Sequence, residues 1–469
     1  MYFNRLCRCL AISCLVWPSF ARAEDLLVGA SAVKITPPLG SAMAGYFHNR
    51  GAEAVHDDLY AKALVMQKDG VRAALVVCDL ISIPREVTEQ VRAIAAKDLG
   101  IPGGNVMISA THAHTGPVMA SEADAYNLPP EMRKIASEYS QSLPGKIVES
   151  IRTAVKKVQG ARISAAAGTE NTLAFNRRFF MKDGTVGWNP GKKNPAILRP
   201  TGPVDPEVPV VYFESNGGKP VATYVNFTMH LDTVGGLEFS ADYPYTLSKL
   251  LAEVKGQEMV TIFSIGTAGN INHLDVNGPN PQSGHYEAAR IGTVLAAEVL
   301  EIYRHLQPIS VDRIQCKNEV VRLPLPSVTP ADVEWAKGIS TKFGKPEAAP
   351  FMDQVRADRI MTVSARQGKP IEAEVQVIAL GNQVALVGLP GEVFVELGLA
   401  IKRASPYPLT VVAELANDDI GYVPNREAYP QGAYEPVSAR VAQGSGEMLV
   451  DTAVRLLTDL FRETVAPEQ

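Results

Sequence analysis

The chain has 469 residues, a formal net charge of -5 at pH 7, and hydrophobic residues at 46% of its positions. A chain of this composition can bury a sizeable core, and a mildly acidic chain without a basic cluster argues against a nucleic-acid partner. No stretch beyond the N-terminus approaches the roughly 18 uninterrupted apolar residues that a membrane-spanning helix needs. We therefore expect an exported protein without a membrane span.

The first 23 residues have the pattern of a cleavable secretory signal. Arg5 and Arg8 precede an apolar run, and Ala21 and Ala23 are small residues where a signal peptidase cleaves. Lipoprotein-type cleavage before Cys14 is an alternative, although the apolar run in front of it is short. Removing residues 1–23 takes away three arginines and no acid, which changes the net charge from -5 to -8.

Cysteine content and chain length constrain the domain organisation. Only Cys78 and Cys316 follow the predicted signal, so we expect neither a disulfide framework nor a cysteine-rich zinc module. A prior of about 150 residues per domain suggests two or three domains. No break in composition separates them, and we predict one large α/β domain over residues 24–469, with mixed β-sheets flanked by helices.

Hydrophobic periodicity predicts alternating strands and helices. We expect strands at 26–35, 61–66, 72–78, 106–108, 162–167, 210–214, 221–226, 259–265, 372–380, 384–389 and 409–415, and helices at 86–99, 137–158, 244–254, 287–303, 393–403 and 447–461. Pro144 predicts an interruption of the second helix. Residues 181–209 are dense in Gly, Pro, Asn and Lys, which predicts a long loop, either functional or flexible.

Four predicted strands end in groups that bind metals or move protons. His112 and His114 follow the strand at 106–108, and His230, Glu392 and Tyr422 follow later strands. Functional groups from separate strand ends meet at one edge of an open α/β sheet, so these residues can form one site. Zinc accepts nitrogen and oxygen ligands and lowers the pKa of bound water to about 7.

Structural roles for the same residues remain open at this stage. A single buried histidine such as His230 is commonly a hydrogen-bonded core residue, and Glu392 after Pro-Gly could cap the next helix. The glycines of the segment from Gly266 to His273 suit an oxyanion site and suit a tight turn equally well.

The order of several short motifs along the chain resembles the N-terminal catalytic domain of the neutral/alkaline ceramidases, which are zinc-dependent amidases. The matching segments are Lys34-Ile35-Thr36-Pro37-Pro38, Ala110-Thr111-His112-Ala113-His114-Thr115-Gly116-Pro117, Asn176-Arg177, Asn226-Phe227 to His230, Pro390-Gly391-Glu392, and Gly421-Tyr422 through Arg426-Glu427-Ala428-Tyr429 to Tyr434-Glu435. Each motif alone is unspecific, but together they keep the family order from near the predicted mature N-terminus to near the C-terminus. The resemblance implies the ceramidase N-terminal-domain fold.

The resemblance also implies roles for individual residues. The family's zinc ligands fall on a set of four residues: His112, His230, Glu392 and Tyr422. Its substrate-facing histidine falls on His114, the arginine of its Asn-Arg motif on Arg177, and a site tyrosine on Tyr434. Arg177 and Tyr434 are thereby expected to stabilise the oxyanion that forms when water attacks the amide.

One departure from the family concerns the proposed nucleophile. Where the ceramidases carry a serine, this chain has Asn272 in the segment Gly269-Asn270-Ile271-Asn272-His273. An amide cannot replace a hydroxyl as a nucleophile, so catalysis should rest on zinc-bound water, with Asn272 at most a hydrogen-bonding group. The chain also ends soon after the tyrosine motif, which suggests a short form without the family's C-terminal immunoglobulin-like domain.

Together these observations predict an exported, Zn²⁺-dependent hydrolase of an N-acyl amide, with a small-molecule or lipid substrate. Two alternatives stay open: a zinc-dependent esterase, and a non-catalytic exported binding protein that retains the metal. Asn272 is the observation that favours the second alternative. Peripheral contact with a membrane and the oligomeric state are not determined by the sequence.

Overall fold

The computed structural model describes residues 26–46, 48–123, 126–340 and 349–465. The predicted signal peptide lies outside the described residues, so export stays a prediction. None of the helices in the described ranges combines the length and apolarity needed to cross a bilayer.

The strands are short to medium in length and occur throughout the chain. In chain order they are β1 (Leu27–Lys34), β2 (Ala54–Val55), β3 (Tyr60–Lys68), β4 (Val71–Cys78), β5 (Val106–Ala110), β6 (Gln159–Thr169), β7 (Phe175–Asn176), β8 (Arg178–Met181), β9 (Val186–Trp188), β10 (Ile197–Pro200), β11 (Glu207–Ser215), β12 (Pro220–Phe227), β13 (Glu238–Phe239), β14 (Val260–Ile265), β15 (Ile271–Asn272), β16 (Gln307–Ile309), β17 (Ile314–Leu323), β18 (Ile371–Leu380), β19 (Val384–Gly388), β20 (Glu392–Val393), β21 (Leu409–Ala413) and β22 (Tyr422–Val423).

Helices separate many of these strands. They are α1 (Arg85–Leu99), α2 (Pro130–Lys156), α3 (Tyr243–Lys255), α4 (His285–Ile302), α5 (Pro330–Ser340), α6 (Phe351–Ala365), α7 (Val395–Ala404), α8 (Ala428–Gln431), α9 (Tyr434–Ser438) and α10 (Ser445–Val465).

Two sheets stack face to face between outer layers of helices. The larger sheet has nine strands in the order β14-β12-β11-β6-β1-β3-β4-β5, with β16 also paired to β6, and the smaller has the order β17-β18-β19-β21. Both contain parallel and antiparallel pairs. The predicted α/β domain with mixed sheets flanked by helices is therefore confirmed.

Successive side chains of a strand point to opposite faces of its sheet, and this alternation builds the layered core. In β3, Leu64 and Met66 pack towards the second sheet, whereas Ala63 and Val65 pack towards α1 and α2. In the smaller sheet, Leu386 of β19 faces the first sheet and joins the same apolar cluster. Each central strand is therefore apolar on both faces, which explains its continuous hydrophobic sequence.

Two local predictions differ from the structure. The second helix begins at Pro130 and continues through Pro144. Pro144 removes one backbone donor, but the helix retains its long buried face through Leu143, Ile147 and Ile151, and packing offsets the missing bond. The segment 181–209 is not a plain loop, because β8, β9 and β10 form a three-stranded sheet there.

The carboxyl ends of the strands meet where the two sheets approach each other. Ile108 of β5 accepts a hydrogen bond from the amide of Asn417 at 2.7 Å, and its own amide donates to the Asn417 side chain at 3.0 Å. Ser109 forms a β-bridge with Ala416. These contacts bring the segment after β5 next to the segment after β21.

Candidate active site

The structure brings together the four predicted metal ligands from four strand ends. His112 follows β5, His230 follows β12, Glu392 follows β19, and Tyr422 follows β21. A β-bridge between Ala113 and Leu231 joins the first two segments. Glu392 and Tyr422 are direct partners in the parallel pair β20–β22, so their backbones lie side by side.

The backbone at His112 turns sharply out of β5. His112 has φ of 70°, in the left-handed region that side chains other than glycine rarely adopt, and its amide donates to the Leu80 carbonyl at 2.9 Å. Such a conformation is unfavourable and persists where surrounding contacts enforce it. It turns the chain at the strand end, where His112 and His114 both line the cavity described below.

Hydrogen bonds to backbone carbonyls fix the ring tautomers of two histidines. His112 Nδ1 lies 2.9 Å from the Ile81 carbonyl, and His230 Nδ1 lies 2.8 Å from the Ala268 carbonyl. A carbonyl only accepts hydrogen bonds, so Nδ1 must carry the proton in each ring. In the neutral form of each ring, Nε2 is then left with a lone pair, which is the form that binds a metal.

The lone pairs of these rings converge on one carboxylate. Glu392 Oε2 lies 3.3 Å from His112 Nε2 and 3.1 Å from His230 Nε2. Tetrahedral zinc with bonds of about 2.0 Å separates its ligand atoms by about 3.3 Å. Two imidazole nitrogens at these distances from a carboxylate oxygen are compatible with a bound divalent cation.

His114 lies close to this group but differs from the other two rings. Its Nε2 is 3.2 Å from His112 Nε2, and the three histidines together form a cluster with ligand atoms within 4.8 Å of one another. Its buried Nδ1 has no hydrogen-bond partner among the described residues. Burial, followed by the charge of His112, lowers the pKa of His114 to about 3. The ring is therefore neutral at pH 7 and lacks the carbonyl contact of a fixed ligand.

Gly45 makes the close approach of a loop to His114 feasible. A Cβ atom on Gly45 would lie 2.7 Å from His114 Cγ and Nδ1, and Gly45 has φ of 97°. The loop is held by Arg50, which donates to the carbonyls of Ala44 and His114 at 2.5 and 2.7 Å. Arg50 and Gly45 thus confine the His114 ring, a function that the sequence analysis missed.

Arg177 contacts two of the predicted ligands. Its guanidinium lies 3.2 Å from His230 Nε2 and donates to the Tyr422 hydroxyl at 3.1 Å and to the Gly269 carbonyl at 2.7 Å. Arg177 is buried and is not among the residues that line the cavity described below. These contacts favour a positioning role over direct contact with substrate.

Glu435 is a further buried residue whose role was not predicted. Its two carboxylate oxygens each accept a hydrogen bond at 2.8 Å, one from Arg177 and one from Arg178. All three side chains are at most 3% exposed. The adjacent arginines after Asn176 were a usable signal, since two neighbouring buried guanidinium groups require a nearby carboxylate.

Tyr434 lies beside the predicted metal ligands and packs against two other aromatic rings, Trp188 and Phe351, and these three rings are called the aromatic wall below. Its ring centroid is 5.3 Å from that of Tyr422 and 4.5 Å from that of Trp188, which stacks on Phe351. Burial, followed by the charge of Glu392, raises the pKa of Tyr434. The hydroxyl therefore keeps its proton at neutral pH and can donate a hydrogen bond.

Both ends of the Asn272 side-chain amide are hydrogen-bonded to neighbouring residues. Its side-chain amide donates to Asn189 at 3.1 Å and its side-chain oxygen accepts from the backbone of Leu274 at 3.1 Å. The residue is fully buried in β15, which pairs with β7. It is absent from the described residues that line the cavity.

A cavity of about 450 Å³ opens onto the histidine cluster. Its walls include residues predicted from the sequence and others that were not. Five of the lining residues are ones that the sequence analysis assigned to the site: His112, His114, Glu392, Tyr422 and Tyr434. Other polar and charged lining residues were not assigned to it: Tyr46, Arg85, Glu86, Glu122, Tyr126, Asp358, Asp418, Asp419 and Arg440. The predicted groups thus reach a space that can hold a small molecule or part of a larger one.

Comparison with known sequences agrees with the resemblance of the motifs. The family model described as neutral/alkaline non-lysosomal ceramidase, N-terminal, matches residues 26–232. The neutral ceramidase of Pseudomonas aeruginosa is 25% identical over 515 aligned residues, which span 96% of this chain and 75% of that protein.

Comparison with solved structures concerns the fold. The crystal structure of neutral ceramidase from Pseudomonas aeruginosa superposes with a TM-score of 0.73 and 21% identity, covering 95% of this chain and 76% of that chain. A ceramidase complexed with C2 gives a TM-score of 0.72 and 20% identity, covering 95% and 77% of the two chains. At these identities the likeness establishes a shared fold.

Proposed function

We propose that the chain belongs to the neutral/alkaline ceramidase family, whose N-terminal model matches residues 26–232, and that it is a zinc-dependent hydrolase that cleaves a ceramide-like N-acyl amide. The observation that carries the proposal is the position of Glu392 Oε2, which lies 3.3 Å from His112 Nε2 and 3.1 Å from His230 Nε2, while Nδ1 of each ring is hydrogen-bonded to a backbone carbonyl.

In this proposal four residues would hold a zinc ion: His112, His230, Glu392 and Tyr422. A bound zinc ion supplies Lewis acidity and lowers the pKa of a bound water to about 7. Arg177 donates a hydrogen bond to the Tyr422 oxygen, which favours the anionic form that coordinates a metal. Burial and the charge of Glu392 oppose that ionisation and raise the pKa of Tyr422.

His114 and Tyr434 act on the substrate in the proposed mechanism. The neutral His114 takes a proton from the attacking water as the water oxygen bonds to the carbonyl carbon. It then gives this proton to the leaving nitrogen as the carbon–nitrogen bond breaks, and the much higher pKa of the amine favours the transfer. Tyr434 donates its hydroxyl proton in a hydrogen bond to the oxyanion of the tetrahedral intermediate. Arg177 acts through His230 and Tyr422, whose positions it fixes.

The substrate class rests on the relatives and on the aromatic wall. A neutral ceramidase and a ceramidase complexed with C2 share the fold, and an N-acyl lipid is the corresponding substrate here. The rings of Tyr434, Trp188 and Phe351 each contact the other two and form a compact aromatic group beside Tyr422. We assign the acyl chain to this wall, because aromatic rings supply large apolar area.

Chelation provides the direct test of metal-dependent amide hydrolysis. We expect about one zinc per chain in the purified protein, loss of fatty-acid release from a short-chain ceramide after chelation, and recovery when zinc is restored. The same samples are assayed with the matching ester, since the cluster can attack either bond. Full amide hydrolysis by metal-free protein would overturn the mechanism, and hydrolysis of the ester alone would identify an esterase.

Restoring the family's serine by Asn272→Ser is not expected to create a nucleophile. The side chain at this position is buried against Asn189 and Leu274 rather than in the cavity, so we expect no gain in amide hydrolysis. Loss of the Asn189 hydrogen bond should lower the free energy of unfolding by about 1 kcal/mol, measured by urea denaturation. Asn382→Ser, at an exposed position, is the matched control. A tenfold gain in kcat/KM would show that residue 272 reaches the substrate.

A further inference from the structure

Glu414 is a buried carboxyl group that neither the proposed ligand set nor the proposed mechanism uses. It follows β21 directly and is fully buried. None of the ion pairs formed by the described residues includes it. Burying a carboxyl group without a cationic partner costs free energy, so hydrogen bonds or packing at this position have to compensate for it. The contacts of Glu414 therefore indicate what the residue does.

Glu414 accepts a hydrogen bond from the strand that carries the predicted ligand Glu392. In the β20–β22 pair, the amides of Glu392 and Phe394 donate to the neighbouring segment at 3.0 and 3.1 Å. Backbone amides alternate in direction along a strand, so the Val393 amide between them points away from β22. Glu414 Oε2 accepts this amide at 2.7 Å. The side chain thus supplies the acceptor that a third strand would supply in a larger sheet.

The segment that holds His230 meets the same carboxyl group. The Ala268 carbonyl lies 2.8 Å from His230 Nδ1 and fixes the tautomer of the ring. The backbone of Ala268 also interacts with the Glu414 carboxyl group, as that of Val393 does. The next residue, Gly269, donates to the Val393 carbonyl at 2.9 Å. Glu414 therefore joins the backbone that positions His230 to the strand that carries the carboxylate ligand.

These segments have little space in which to shift. A Cβ atom on Gly269 would lie 2.6 Å from the Glu392 carbonyl oxygen, so glycine is required for the two backbones to approach this closely. A densely packed interior transmits a displacement to neighbouring side chains. A change at Glu414 should therefore move the Glu392 carboxylate relative to His230 Nε2, which lies 3.1 Å from it.

We propose that Glu414 is a positioning residue of the metal site: its carboxyl oxygen fixes the Val393 amide and thereby the distance between the Glu392 carboxylate and His230. The inference rests on the proposed zinc site and deepens it. Groups that hold metal ligands in place orient them for binding, and their loss typically lowers metal affinity by about 10- to 100-fold. Glu414 acts through Glu392 and His230, so its substitution should change zinc affinity.

Three substitutions separate the effect of an acceptor oxygen from that of a negative charge. Burial, followed by the charge of Glu392, raises the pKa of Glu414 well above its ordinary value, so the side chain is a neutral acid at pH 7. Glu414→Gln keeps a neutral side chain with one acceptor oxygen at the same reach. Glu414→Asp keeps the acid but shortens the side chain by one methylene group. Glu414→Leu removes the acceptor.

Zinc affinity of the folded protein is the readout, measured by competition with a chromogenic chelator. We expect Glu414→Gln to bind zinc within about twofold of the native protein, Glu414→Asp to bind it about threefold more weakly or worse, and Glu414→Leu about tenfold more weakly or worse. Glu170→Leu is the matched control, because Glu170 is also buried and accepts a backbone amide, that of Thr172. It should lower the free energy of unfolding in urea and leave zinc affinity unchanged.

The outcomes separate this inference from the proposed function. Native zinc affinity in Glu414→Leu overturns the inference, because the residue would then support only the fold. If Glu414→Leu does not fold, the other two variants decide, since zinc binding by Glu414→Gln that is no tighter than that by Glu414→Asp overturns it. Absence of zinc binding by the native protein overturns the proposed function and the inference with it. Zinc binding without hydrolysis of any acyl amide overturns the proposed function alone.

Discussion

His230→Ala is expected to abolish zinc binding and to lower kcat/KM for amide hydrolysis by roughly 10³-fold or more. His230 is fully buried, and its Nε2 faces Glu392 at 3.1 Å. A metal ion contributes several kcal/mol of transition-state stabilisation, and each 1.36 kcal/mol corresponds to a factor of ten in rate. Metal content and kcat/KM are measured on the same preparation.

The two histidines that follow β5 should respond differently. His112→Ala should lose zinc as His230→Ala does, because both rings have Nδ1 fixed on a carbonyl and Nε2 free. His114→Ala should retain zinc and lose activity, because its Nδ1 has no partner and we assign it to the substrate. His305→Ala, at an exposed ring paired with Glu301, is the control.

Metal analysis can contradict this assignment directly. Equal loss of zinc in the three variants His112→Ala, His114→Ala and His230→Ala would make His114 a ligand. The geometry permits this, because the ligand atoms of the three histidines lie within 4.8 Å of one another. Retention of zinc in His230→Ala would contradict the ligand set as a whole. Circular dichroism of each variant separates metal loss from unfolding.

Local sequence patterns were sufficient to predict most of the fold. The hairpin across Asp69-Gly70 and the helix over 447–461 follow from short-range periodicity, and both occur as β3–β4 and α10. The small sheet formed by β8, β9 and β10 could not be predicted, because its strands have only three or four residues each and lie among turn residues. Such short strands depend on tertiary contacts that the local sequence does not contain.

For the candidate site, the sequence was sufficient to predict the ligand-type residues but not the residues that hold them in place. Ligand-type side chains at strand ends carry a recognisable local signature, and the fold brings His112, His230 and Glu392 together as expected. The residues that hold them in place carry no such signature. Glu435 and Arg50 act through contacts across 258 and 64 positions of sequence, respectively, and only the folded chain shows which side chains they meet.

Asn272 shows that a sequence motif can also suggest a site residue whose side chain does not line the cavity. Its position in a motif suggested a place among the reacting groups, but the structure uses both ends of its amide to join β15 to Asn189 and Leu274. Sequence order identifies equivalent positions without identifying where a side chain points. The catalytic role of residue 272 thus stays a prediction, which Asn272→Ser tests.

Glu435→Gln is expected to lower the free energy of unfolding by about 3–5 kcal/mol. The substitution removes the carboxylate that lies between the guanidinium groups of Arg177 and Arg178, each 2.8 Å away. All three side chains are buried, so water cannot replace the lost charge, and removing one member of a buried ion pair has a cost of this size. One end of the glutamine amide is also a donor that faces a donor.

Urea denaturation measures the effect as a shift in the midpoint at constant slope. Glu214→Gln is the matched control, because Glu214 pairs with the exposed Arg162 at 2.6 Å, and a surface pair of this kind contributes at most about 1 kcal/mol. If both variants shift the midpoint equally, the buried network is not a major source of stability. A large shift confined to Glu435→Gln, with weaker zinc binding in the folded variant, would show that Glu435 also positions Arg177 beside His230 and Tyr422.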